Sequence, residues 1–169
     1  MQNLIVRITQ ENLNLINEDK IGCFILAESL SEDFARDFTA KARQQGKLVL
    51  TSGEQALEKY LDYKADGLVV DTIKESMPQK IIRQIKEKAP KAILGVVSRN
   101  RRHEAMLVSE CEPDFVIFKF WRDGFDENAE LLKWYSELFL IQNAVWPQED
   151  IDCTALPADF LIADDAGLA

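Results

Sequence analysis

The chain has 169 residues, with 29 Asp and Glu against 20 Lys and Arg for a net charge of −9, and 47% of it is apolar. That length fits one domain, residues 1–169, with enough chain to bury a core. The acidic balance argues against nonspecific binding to nucleic acid or to an anionic membrane. In chain order, eight short apolar runs follow: Leu4–Ile8, Cys23–Ala27, Lys47–Leu50, Gly67–Val70, Ala92–Val97, Phe115–Phe118, Phe139–Ile141 and Phe160–Ala163. Helical patterns lie between them. Ser31-Glu32-Asp33-Phe34 reads as a capped helix start that runs to Gly46, with Phe34, Phe38 and Ala42 on one face. A second helix opens at Ser52-Gly53-Glu54-Gln55, and a third covers Met77 to Lys88 with Pro78 in its first turn. His103 to Cys111 and Glu127 to Leu138 give a fourth and a fifth.

Strand-length runs alternating with helices predict repeated βα units around a parallel sheet. Eight such units are the count that closes a (β/α)8 barrel, whose sites lie at the C-terminal ends of the strands. The chain is short for that fold, so its units must be minimal. Glu11 to Glu18 holds about two turns, Gln148 to Pro157 little more than one, and only Asp165 to Ala169 follows the eighth run. The expectation is an α/β barrel of TIM type lacking its last helix, and the alternative is an open doubly wound sheet of five or six strands. Cys23 and Cys111 fall in apolar or helical patterns and read as buried thiols, whereas Cys153 sits in a polar loop and reads as exposed. Three distant cysteines suggest neither a disulfide framework nor a zinc clip. No stretch is long and apolar enough to span a bilayer, and the N-terminus lacks the segments of a secretory signal, so the expected location is cytoplasmic.

Four strand signatures carry a family resemblance. Ala65-Asp66-Gly67-Leu68-Val69-Val70, Ile93-Leu94-Gly95-Val96-Val97-Ser98, Pro113-Asp114-Phe115-Val116-Ile117-Phe118 and Ala158-Asp159-Phe160-Leu161-Ile162-Ala163 resemble the fourth, fifth, sixth and eighth strands of the thiamine phosphate synthase superfamily, which includes the thiazole tautomerases. The resemblance implies a phosphate-binding barrel, a phosphorylated small molecule as ligand, and Mg2+ near the loop after the fourth strand. The family's catalytic signatures are replaced. Its Q-x-R-x-K after the second strand corresponds to Ile25-Leu26-Ala27-Glu28, its Asn-Asp after the third to Thr51-Ser52, and its Gly-Gly of the seventh to Ile141-Gln142-Asn143-Ala144-Val145. The implied protein is a degenerate synthase-like barrel.

Residues closing the strands are Glu28, Thr51, Asp71, Ser98, Lys119, Asn143 and Asp164. Asp71 and Glu75 are the candidate metal ligands, hard oxygens in the loop where the family keeps an acidic ligand. Ser98, Arg99, Arg101 and Arg102 are the candidate phosphate site. Cations at a helix N-terminus oppose its dipole, and a bound anion would offset that. The null alternative is a salt-bridged surface. Lys119 lies in Phe118-Lys119-Phe120, which resembles the sixth-strand lysine segment of keto-acid aldolases. A desolvated lysine near the barrel axis would be nucleophilic, so a Schiff-base lyase is the enzymatic alternative. His103, the only histidine, reads as an exposed cap, and Trp121, Trp134 and Trp146 read as packing residues. A third alternative is a non-catalytic scaffold. The thin first and seventh helices and the missing eighth adjoin one seam, whose uncovered Leu4-Ile5-Val6 and Phe160-Leu161-Ile162 predict a homodimer.

Overall fold

A computed structural model describes residues 2–168. Eight parallel strands close into a barrel in chain order: β1 (Asn3–Ile8), β2 (Cys23–Leu26), β3 (Leu48–Thr51), β4 (Gly67–Asp71), β5 (Ile93–Val97), β6 (Phe115–Phe120), β7 (Gln142–Pro147) and β8 (Phe160–Asp164). β1 pairs with both β2 and β8, so the open-sheet alternative is set aside. Five helices cover the outside: α1 (Glu32–Gln44), α2 (Ala56–Tyr63), α3 (Pro78–Lys88), α4 (Arg102–Glu110) and α5 (Phe125–Leu138). Among the described residues no α-helix follows β1, β7 or β8; the first and last of these carry only short 3-10 turns, Asn14–Asn17 and Asp165–Gly167.

The helices form where the sequence supplies both ends. In α1 the Ser31 side chain accepts the Phe34 amide, Glu32 and Asp33 occupy the positive end, and Lys41 and Arg43 the negative end. Its Phe38 and Ala42 are fully buried, and Phe38 meets Phe24 of β2 edge-on at 5.1 Å. Inside the barrel, Ile5, Ile25, Leu50, Val69, Val97, Ile117 and Ile162 fill the axis. Alternate strand positions such as Phe24, Leu68 and Phe118 face outward to the helices.

Three alternate strands, β4, β6 and β8, are each bracketed to their predecessor at the N-terminal face. Asp66, just before β4, accepts the Val49 amide of β3 at 2.9 Å; Asp114, before β6, accepts Leu94 of β5 at 2.7 Å; Asp159, before β8, accepts Asn143 of β7 at 2.9 Å. The small-Asp-apolar signatures that carry the family resemblance are these brackets. At the same face, Gly67 of β4 permits a close approach: a Cβ there would lie 2.0 Å from the Ile93 carbonyl oxygen.

The seam between β8 and β1 is closed by the chain itself. Asp165 is buried, and its carboxylate accepts the Thr9 and Gln10 amides at 3.0 Å each as well as the Thr9 hydroxyl. Ile16 and Ile21, in the β1–β2 connection, bury against Val6 and Ile8. Ile151, Cys153 and Leu156 pack in the same cluster as Leu161, and the Gln2 side chain donates to the Cys153 and Leu156 carbonyls. The bare strand faces that motivated a homodimer are therefore largely covered within one chain.

Three sequence expectations need correction. The seventh strand is Gln142–Pro147, not Phe139–Ile141. Phe139 stacks on Tyr135 at 4.8 Å and stays with α5, while the polar pair Gln142-Asn143 masked the true strand start. Asn143 consequently lies near the N-terminal end of β7 rather than closing it, buried and doubly bonded to Asp159. Cys153 is buried rather than exposed, because its loop folds back over the β7–β8 outer face.

Candidate functional site

Strand alternation builds the mouth. Ile5, Val69, Ile117, Ala144 and Ile162 occupy the apolar interior. The residues two positions further along each strand, Arg7, Asp71, Lys119, Trp146 and Asp164, share that inward face at the C-terminal end. Four of these sit on adjacent strands in register: Lys119 opposite Trp146, and Arg7 opposite Asp164. The Trp146 indole gathers both cations, with the Arg7 guanidinium 5.3 Å and the Lys119 ammonium 5.0 Å from its ring centroid. Each cation also has a carboxylate, Asp164 at 3.1 Å from Arg7 and Asp71 at 3.4 Å from Lys119.

Depth separates the two signs. The Arg7 and Lys119 side chains are 28% and 19% exposed, against 44% and 51% for Asp164 and Asp71. Both cations thus lie deeper than the carboxylates that pair with them. Arg7, Lys119, Asp71 and Trp146 line a cavity of about 870 Å3 with Ile25, Val97, Ile117 and Ile162 as its apolar floor. Glu28, Ser52, Glu54, Lys74, Glu75 and Trp121 also line it. Trp146 and Trp121 thus face the cavity, contrary to the expectation that the tryptophans only pack.

The basic loop after β5 lies elsewhere. Ser98 is buried and donates to the Arg99 carbonyl at 3.0 Å. Arg99 donates through Nε to the Ile73 carbonyl of the β4–α3 loop, while the Arg102 guanidinium packs 5.0 Å from the Trp134 ring on α5. Arg101, exposed, is the N-cap residue of α4. These four candidates do not converge on one space, and none lines the mouth cavity. Contacts with the carbonyl and the indole supply the compensation that a bound phosphate would have supplied for arginines at a helix N-terminus.

Asp71 and Glu75 both line the cavity, two hard oxygen donors of the kind Mg2+ takes when a substrate phosphate and waters complete its shell. The Asp71 carboxylate already accepts the Ile73 amide at 2.9 Å and pairs with Lys119. Among the described residues no three His, Cys, Asp or Glu side chains gather into a preassembled metal cage. The cysteines offer no nucleophile. Burial, with a smaller contribution from Asp66, pushes the Cys23 thiol up to about 12; burial and then Asp152 push Cys153 up to about 11. The Cys111 thiol is raised as well, chiefly by burial.

Arg7 was missed in the sequence although it stands at the inward beat of Leu4-Ile5-Val6-Arg7-Ile8. A charge at that position in an otherwise apolar strand was the available signal. Trp146 was missed because β7 was placed too early.

Solved structures with the same architecture are numerous. Thiamine phosphate pyrophosphorylase from Pyrococcus furiosus superposes with a TM-score of 0.70 at 16% identity, covering 97% of this chain and 86% of that one. 3-Keto-L-gulonate-6-phosphate decarboxylase from Vibrio cholerae gives 0.72 at 14% identity, covering 98% and 89%. A truncated 3-deoxy-D-arabino-heptulosonate 7-phosphate synthase from Thermotoga maritima gives 0.67 at 14%, covering 96% and 74%. The likeness is one of fold. No protein-family model matches the chain, and no curated protein matches it in sequence. Neighbours so diverse in chemistry fix the (β/α)8 barrel and leave its site to be argued from its own residues.

Proposed function

We propose that the protein binds a small anionic metabolite, of the phosphate-ester class, at the C-terminal mouth of the barrel through Arg7 and Lys119. One observation carries the reading: two cations from β1 and β6 share the Trp146 indole and lie deeper than their carboxylate partners. A phosphate matches that pair, since a guanidinium binds two of its oxygens in a fork and an ammonium binds as a point charge. The apolar floor of Ile117 and Ile162 suits the body of a small organic ester, and the indole a flat one. Synthase-type transfer of a pyrophosphorylated pyrimidine is not part of the proposal. Glu28 and Glu54 line the same cavity and would repel a leaving pyrophosphate, and no glycine pair ends β7.

Thermal unfolding with added phosphate esters tests the reading. Methyl phosphate at millimolar concentration is expected to raise Tm by linkage to the folded state. The rise is expected to disappear in Arg7→Gln combined with Lys119→Gln. An unchanged Tm across phosphate, pyrophosphate and methyl phosphate contradicts it.

A second reading has its own support in Lys119, an amine on the inward face at the barrel mouth with the Asp71 carboxylate 3.4 Å away to relay protons during addition and loss of water. Attack of the free amine on a keto-acid carbonyl, with loss of water, gives a Schiff base. Borohydride trapping with keto acids is the test. A mass increase on Lys119 supports a lyase, and an unlabelled chain removes this reading without touching the first.

A further inference from the structure

The cavity at the mouth does not end at the barrel axis. It continues between the β3–α2 loop, where Ser52, Gly53 and Glu54 line it, and the β4–α3 loop, where Ile73, Lys74 and Glu75 do. Beyond these loops its walls are Leu57 of α2 and Ile81 and Ile85 of α3, over the outward side chains Leu68 and Val70 of β4. The cleft exists because the helix layer is uneven: α1 packs on α2, α3 on α4 and α4 on α5, whereas α2 and α3 barely touch. At neighbouring sectors the outward strand side chains are sealed, Phe24 under α1 and Phe118 under α5. Val70, Leu57, Ile81 and Ile85 stay half-exposed instead.

We infer that the ligand is an anionic amphiphile, with its phosphate head on Arg7 and Lys119 and a hydrocarbon tail running between the two loops into the α2–α3 cleft. This rests on the mouth reading above and adds the class of the ligand's remainder. Two features of the cavity select that class. Its polarity is uneven: the cations and Trp146 stand at the axial end, and the outer end has an aliphatic wall of Leu57, Leu68, Val70, Ile81 and Ile85, with the exposed Glu54, Glu58, Lys74 and Glu75 also on its lining. Its outer part adjoins the axial end past loop residues of both walls, a path that a flexible chain can follow. A wholly polar ester would leave the aliphatic end in contact with water, whereas a tail removes that surface from water in proportion to its length.

Calorimetric titration with methyl, butyl and octyl phosphate, each kept below its micellar concentration, tests the inference. Octyl phosphate is expected to bind at least tenfold more tightly than methyl phosphate, with butyl phosphate between them. Ile81→Glu is expected to bring octyl phosphate down to the affinity that methyl phosphate shows in the same variant. Leu57→Gln, on the opposite wall, provides the same readout should the first variant melt early. Equal affinity for all three esters in the unaltered protein overturns the tail site and leaves the head site standing. Binding of none of them overturns the head site, and the tail site with it.

Discussion

The two ends of this barrel are built on opposite rules. At the N-terminal face three carboxylates are spent on backbone: Asp66, Asp114 and Asp159 each take an amide of the neighbouring strand, and Gly67 leaves no room for a single added carbon. At the C-terminal face Arg7 pairs with Asp164 and Lys119 with Asp71 around an indole, and Arg7, Lys119 and Asp71 border open space. In such a barrel the lower face serves stability and the upper face carries the chemistry. The family-like signatures of this chain belong to the lower face, and for that reason they report a fold without reporting an activity.

That division can be broken by substitution. Gly67→Ala forces β4 away from β5, a clash with backbone that side-chain rotation cannot relieve, and is expected to cost about 3 kcal/mol or more. Chemical denaturation reads it, and a loss below about 1 kcal/mol would mean that the lower face has slack. Asp165→Ala leaves two amides and a hydroxyl without their acceptor at the seam, for an expected loss of about 3 kcal/mol. Asp114→Ala removes one bracket and is expected to cost about 1–2 kcal/mol, measured the same way. Smallest of all is the expected effect of Arg7→Gln or Lys119→Gln on stability, under about 1 kcal/mol, since their pairs are half open to water. A mouth substitution that unfolds the protein would move these residues from the ligand to the scaffold.

The same contrast explains what could be read from the sequence. The barrel was legible because burial on both faces of a parallel strand makes an apolar run, and seven of the eight runs overlap their strands. β7 escaped because its first two residues are polar, and both make sense only once Asp159 is beside Asn143. Lys119 and Asp71 were legible as the polar residues that close apolar runs, and the structure adds that they pair. Arg99 and Arg102 were conspicuous as a cluster in one stretch of chain. Adjacency in sequence at a helix start sends successive side chains in different directions, here to Ile73 and to Trp134. Arg7 and Trp146 come from opposite ends of the chain, and only closure of the barrel through β8 brings them together. Helix gaps such as that between α2 and α3 have no sequence signature, because they depend on how two amphipathic faces settle on one strand.

Calorimetric titration of methyl phosphate into three proteins compares the two basic regions directly: the unaltered chain, Arg7→Gln with Lys119→Gln, and Arg99→Ala with Arg101→Ala. The account predicts saturable binding in the first, its loss in the second, and its retention in the third. Binding that survives the mouth substitutions and vanishes with the loop arginines would contradict it and return the anion site to the start of α4.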